Sequence, residues 1–264
     1  MDSDDLSLGE IFPEEARPPT PEPSFAIYQR DDDLAADDWR DMKIRLVGSH
    51  PLWGHYLWNA ARAFASYLDH NRNLYRDRFV LELGAGGGLP GLVAAKNGAK
   101  HVLLTDYPDP ELVKNMEINV AENAAAANCS VQVYSSSRYR HTPSHTTGEL
   151  LEAIPGDEKY HLILLSDLGE NNTVKHDALL KTCENCLAQD DDASVLVFYT
   201  HHRPHLADKD MEFFSKARAR GWACEEIVTR HFTPMFPEDP GEASMRGAVH
   251  GWRLLRAEGS RNAV

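Results

Sequence analysis

The sequence predicts an α/β fold around a mostly parallel sheet, and three observations carry that expectation. Phe79 to Leu83 reads as a buried strand that runs through a glycine-rich turn into a helix starting near Leu89. Beyond it, apolar strand-like runs alternate with helical stretches, a pattern that implies parallel strands joined by right-handed crossovers. Near the end, two strand-like runs at 222–230 and 248–256 are separated by a Pro-rich loop with no helix, which reads as a hairpin. Five βα strands closed by that hairpin make a seven-stranded sheet with one antiparallel strand.

The elements follow in order. Residues 1–23 carry Pro13, Pro18, Pro19, Pro21 and Pro23 among many acids, and such a stretch buries too little to offset its ordering entropy, so a disordered arm is expected. Ser24 to Tyr28 is apolar enough to dock on the body, and Asp31-Asp32-Asp33 reads as a turn. Lys43 to Val47 alternates charged and apolar residues as a short strand does. Leu57, Ala60, Ala61, Phe64, Tyr67 and Leu68 fall at helical spacing, which predicts a helix over Trp53–Asn71 ahead of the first core strand. Core strands are expected at 78–84, 100–106, 130–135, 160–166 and 193–200, with helices at 89–98, 109–124, 173–188 and 206–220. The stretch from Thr142 to Ile154 is a further candidate helix. One domain over 24–256 is expected, followed by a flexible tail at 257–264.

Composition narrows the function classes. With 264 residues and 42% hydrophobic content the chain can bury a sizeable core. It has no apolar run of 18 residues and no signal-peptide pattern, so no membrane role is expected. Four cysteines at 129, 183, 186 and 224 do not look like a disulfide framework, and a reducing, cytoplasmic setting suits them. Of the net charge of −14, residues 1–41 hold −10, which leaves −4 for the other 223. With no basic stripe, nucleic acid is a poor partner. An acidic rim favours a basic polypeptide instead.

The glycine-rich turn carries the chemistry. Gly84, Gly86 and Gly88 let backbone N–H groups approach a ligand without side chains in the way, beside a helix N-terminus. Gly86 to Gly91 also satisfies the dinucleotide pattern G-x-G-x-x-G, and Asp106, 18 residues past Gly88, closes the next strand where a carboxylate can hold ribose hydroxyls of either cofactor. Glu82, two residues before the first glycine, and the long stretch ahead of the loop favour S-adenosylmethionine over a dinucleotide. Cys183-x-x-Cys186 lies on an apolar helix face and reads as packing. His141 and His145 lie in a Pro/Ser/Thr-rich loop, and Pro204 interrupts His201, His202 and His205; no metal site is expected.

Specific segments narrow the reading further. These are Lys43 to Gly48, Pro51 to Ala60, Thr105-Asp106-Tyr107-Pro108-Asp109-Pro110, Leu165-Ser166-Asp167-Leu168, His202-Arg203-Pro204, Pro234-Met235-Phe236 and Val249-His250-Gly251. The chain carrying them resembles the Rossmann-like class I methyltransferases, and within them the fungal protein N-terminal and lysine methyltransferases of translation elongation factor 1-alpha, whose older members were named nicotinamide N-methyltransferases. The resemblance implies S-adenosylmethionine as cofactor, elongation factor 1-alpha as protein partner, and a monomer. It places Trp58, Gly84, Ala85, Gly86, Asp106 and Ser166 at the methyl donor, and Tyr139 is the nearest match to an aromatic beside the adenine. Asp167 is the candidate catalytic residue, facing the amine, with His202 and Arg203 bordering the acceptor pocket. Relatives carry an aromatic three places after the strand-four acid, whereas Glu170 stands there. Three functions therefore remain open: a protein N-methyltransferase, a small-molecule (nicotinamide) N-methyltransferase, and a catalytically weakened methyl-donor-binding module.

Overall fold

The computed structural model describes residues 21–34, 39–51, 53–124, 129–134, 150–154, 158–167 and 173–257. The arm up to residue 20, Tyr139, Glu170, most of the stretch from Thr142 and the tail from 258 lie outside the described residues.

A two-stranded ribbon comes first. The segment expected only to dock on the body is a strand, β1 (Ser24–Gln29), paired antiparallel with β2 (Asp41–Leu46) from Ser24 opposite Leu46 to Gln29 opposite Asp41. In β2, Met42, Ile44 and Leu46 are buried while Asp41 and Lys43 are exposed, the period of two a half-buried strand requires. Arg30, just past β1, anchors the ribbon. Its guanidinium donates to both oxygens of buried Asp69, at 2.6 and 2.9 Å, in a bidentate pair.

Helix α1 (Asn59–His70) begins six residues later than the apolar spacing suggests. Trp53 holds φ 59°, the left-handed region that breaks a helix, and Trp58 is extended at φ −65° and ψ 147°. The rings between them pack on one another and not along a helical stripe. That packing explains the difference.

The main sheet contains β3 (Phe79–Leu83), β4 (His101–Thr105), β5 (Ser130–Tyr134), β6 (Leu162–Ser166), β7 (Ser194–Thr200), β8 (Trp222–His231) and β9 (Ala248–Arg256). Their spatial order is β5-β4-β3-β6-β7-β9-β8, and β9 alone runs against its neighbours. Between the strands lie α2 (Leu89–Lys96), α3 (Pro110–Asn123), α4 (Thr173–Cys186) and α5 (Ala207–Ala219), with a short α6 (Ala243–Gly247) before β9. Residues of β3, β4, β6 and β7 are buried almost throughout, as strands covered on both faces must be.

Successive strand residues feed two cores. Val80, Leu104, Leu164 and Phe198 pack with Phe64, Leu92 and Met116 of α1, α2 and α3; the rings of Phe64 and Phe198 stack at 4.1 Å. Leu81, Leu103, Ile163 and Val195 pack with Leu180, Cys183, Phe213 and Phe214 of α4 and α5. Both Cys183 and Cys186 are buried here, and burial pushes the Cys186 thiol up to about 12. An inert thiol that packs is the result. Among the described residues, no helix is long and apolar enough to cross a membrane.

Candidate active site

Strand order reverses at β3, with β4 on one side and β6 on the other, and ligands of open α/β sheets gather outside the carboxyl ends at such a point. The glycine-rich turn leaves β3 there. Gly84, Gly86 and Gly88 hold φ 71°, 53° and 77°, which only glycine adopts without penalty. The amide of Ala85 donates to Thr105 O at 2.9 Å, fastening the turn to the end of β4, and Gly88 N donates back to Ala85 O at 2.7 Å. Among the described residues, and apart from its chain neighbours, no atom lies within 4 Å of where a Cβ on Gly86 would stand.

Two carboxyls set the shape of this turn. Glu82 is fully buried; its Oε2 accepts from Gly91 N of α2 at 2.8 Å, while Oε1 has no partner among the described residues. Burial pushes its carboxyl up to about 8, the Gly91 amide opposes that rise and the charge of Asp106 adds to it. The acid that marks the loop in the sequence thus ties a strand to a helix. Gly91 permits this contact, since a Cβ would lie 2.4 Å from Leu104 Cδ2 and 2.6 Å from Glu82 Oε2. Asp106 follows β4, its Oδ2 accepting from Gly86 N and its Oδ1 from Tyr107 N, both at 2.6 Å. Burial raises its carboxyl, against the lowering effect of both amides and of nearby His50. Each carboxylate oxygen keeps a second lone pair for a vicinal diol.

The other candidate site residues lie at the ends of β6 and β7. Ser166 closes β6, half-buried, and Asp167 then adopts φ 47°. Its amide donates to Phe198 O at 2.9 Å, and its Oδ1 accepts from Thr200 N at 3.0 Å. Oδ2 is buried and has no partner among the described residues. The Nε2 of His202 stands 3.6 Å from Oδ1. Trp58, one residue ahead of α1, sets its ring edge-to-face against His202 at 4.9 Å. Of the residues expected from the sequence, the structure therefore joins Gly84, Ala85, Gly86 and Asp106 in one group and Trp58, Asp167 and His202 in another, at adjacent strand ends. Arg203 is exposed, and among the described residues no contact joins its side chain to Asp167. Tyr139 lies outside the described residues.

Sequence reading missed Trp53, Tyr56 and Phe236 as members of this group. Phe236, on the loop between β8 and β9, packs 5.5, 5.4 and 6.0 Å from the rings of Trp53, Tyr56 and Trp58. The density of rings over 53–58 was a usable signal that the helical interpretation absorbed.

A profile described as lysine methyltransferase matches residues 40–220. The chain belongs to this lysine methyltransferase family. It is 43% identical over 244 residues to the protein N-terminal and lysine N-methyltransferase efm7 of Schizosaccharomyces pombe, covering 92% of each chain. Against the protein of the same name from Cryptococcus neoformans var. neoformans it is 39% identical, covering 97% of this chain and 90% of the relative. Among solved structures, a Streptococcus mutans protein assigned to the SAM-dependent methyltransferases superposes with a TM-score of 0.52 at 13% identity, over 80% of this chain and 53% of that one. That likeness shows the class I methyltransferase fold. The methyl donor of this lysine methyltransferase is S-adenosylmethionine, and the residues present fit it: open space over a left-handed glycine and a carboxylate at the end of the next strand.

Proposed function

We propose that this methyltransferase acts on a protein amine, the N-terminus and/or an adjacent lysine of translation elongation factor 1-alpha, and works as a monomer in the cytoplasm. The carrying observation is Asp167: a carboxylate in a strained backbone position at the end of β6, with one oxygen fixed by Thr200 N and the other buried with no partner among the described residues. Support also comes from the names of the relatives and from the segments shared with the elongation-factor enzymes.

Methyl transfer from a sulfonium to nitrogen needs little covalent help; the protein's task is alignment and an uncharged nucleophile. S-adenosylmethionine supplies a methyl whose bond to sulfur breaks with both electrons staying on sulfur, while the amine lone pair forms the new bond. Gly84, Ala85, Gly86 and Asp106 would hold the ribose and methionine portions, Ser166 would border them, and Trp58 would offer a flat face to the cation. Asp167 would orient the incoming ammonium and take its proton, directly or through water, before attack. His202, 3.6 Å from the same carboxylate, is placed to pass that proton outward.

The deciding experiment supplies purified enzyme with elongation factor 1-alpha and nicotinamide side by side at matched S-adenosylmethionine. Faster methylation of the protein, mapped by mass spectrometry to its N-terminal residues, is expected. Faster transfer to nicotinamide would overturn the protein-substrate assignment.

A further inference from the structure

The aromatic rings outside Asp167 have a specific use. We propose that Trp53, Tyr56 and Phe236, together with Trp58 and His202, form an aromatic-walled site that binds the acceptor's ammonium group as a cation. The inference rests on the protein-amine assignment above and specifies how such an amine is recognised.

Geometry is the first support. Phe236 meets Trp53 at 67°, Tyr56 at 86° and Trp58 at 69°, so three rings stand edge-on around one. His202 continues the series, 4.9 Å from Trp58 on one side and 3.6 Å from Asp167 Oδ1 on the other. An unbroken run of rings thus leads from a buried carboxylate to Trp53 and Tyr56, which are 50% and 36% exposed. Exposed aromatics in such a run are placed to receive something.

The second support is that the surrounding structure forces the arrangement. Trp53 holds a left-handed φ that an indole-bearing residue avoids, and its amide is fixed to His50 O at 2.9 Å. Gly54 lets this segment lie against α3, because a Cβ there would come 2.7 Å from Leu112 Cδ2. On the facing loop, the buried guanidinium of Arg246 donates to the carbonyls of Phe236 at 2.6 Å, Pro237 at 3.4 Å and Gly241 at 3.4 Å. Asn59 Nδ2 donates to Thr233 O at 2.9 Å, tying the same loop to the start of α1. Both walls are held by buried contacts and backbone hydrogen bonds.

The chemistry follows from the two components. Ring faces attract an ammonium through their quadrupole and need no N–H to do so. Asp167 supplies the fixed negative charge and the proton acceptor. Rings therefore bind a nitrogen that has already gained methyl groups as well as one that has not, whereas hydrogen bonding to a carboxylate needs an N–H that methylation removes. A neutral group of equal shape would gain only the apolar contact.

The test uses full-length enzyme saturated with S-adenosylhomocysteine. Two basic peptides are titrated by calorimetry, identical except that one carries trimethyllysine and the other its uncharged tert-butyl isostere. The charged peptide should bind about three- to tenfold more tightly. Phe236→Leu, which keeps apolar volume and loses the ring, should abolish that preference while leaving S-adenosylhomocysteine affinity unchanged. Tyr56→Leu provides a second variant should Phe236→Leu fold poorly. Equal affinity of wild type for both peptides, or a preference that survives both substitutions, would overturn the site. Should wild type prefer the charged peptide yet methylate only nicotinamide, the aromatic site stands and the protein-substrate assignment falls.

Discussion

The two sides of the site are built from different materials. On the proposed methyl-donor side, between β3 and β4, the groups are backbone amides of glycines, and both oxygens of Asp106 accept, from Gly86 and Tyr107. On the proposed acceptor side, beyond β6 and β7, the groups are side chains from four separated segments, and one buried oxygen of Asp167 has no partner among the described residues. A satisfied backbone cradle gives the same shape to every molecule of an invariant ligand. A carboxylate oxygen with no partner among the described residues is costly in the resting protein, and an arriving cation would offset that cost. Fixed binding on one side and selection on the other follow from that difference.

Substitutions can break the contrast. Gly91→Ala strikes the support of the proposed methyl-donor side, where a Cβ would overlap Leu104 and Glu82 and displace the one hydrogen bond that the Glu82 carboxyl accepts among the described residues. Overpacking and the lost bond together should cost about 3 kcal/mol of stability, read by urea unfolding, with weaker binding of S-adenosylhomocysteine. A stable variant with normal affinity would show that the helix shifts freely and that the cradle is less rigid than described.

A matched pair separates the sides. Asp106→Ala should weaken S-adenosylmethionine binding by about 1–3 kcal/mol in calorimetry, through lost hydrogen bonds to the ligand and to the turn. Asp167→Asn should leave that affinity nearly intact but slow turnover severalfold or more, because an amide takes no proton. Asn tolerates the left-handed conformation and can still accept from Thr200 N, so the fold should persist. If both variants lose affinity equally, the two sides are one unit and the division is wrong.

The smallest change in any one pH step is expected from Glu82. Its folded-state pKa is raised to about 8 from 4.5, so between those values the folded protein keeps a proton that the unfolded chain has released. Its stabilising contribution is full below pH 4.5 and is lost as pH rises toward about 8, with a slope of up to about 1.4 kcal/mol per unit. Glu82→Gln does not titrate and should flatten that part of the stability profile relative to wild type. An identical profile would mean that Glu82 is ionised in the folded protein.

The same contrast explains what could be read in advance. Glycine spacing encodes a backbone shape directly, so Gly84, Gly86, Gly88 and the strand-ending Asp106 are visible as a pattern, and the parallel sheet follows from the alternation of its elements. The acceptor side has no such local code. Phe236 lies on a loop far from Trp53 and Trp58 in the chain, and the three meet only because β9 returns that loop to the sheet and Arg246 fixes it. The helix boundary was misplaced for a related reason. Leu57 continues the apolar spacing of α1, but ring packing and the left-handed Trp53 override it. The ribbon of β1 and β2 was half visible, because pairing between strands leaves no mark in either strand alone.

One feature of the sheet bears on how the chain is made. β9 lies between β7 and β8, antiparallel to both, yet follows them in the chain. While the ribosome is still adding residues before Ala248, the strands of the methyl-donor side have all been synthesised. β7 then presents an open edge, and the ten residues of β8 have no sheet partner. Folding during synthesis must therefore stop short of a complete sheet, and the unpaired edge is exposed to chaperones and to neighbouring chains until the final strand slots in. The arrival of β9, more than that of the glycine-rich loop, sets the moment at which the sheet of a nascent molecule is complete.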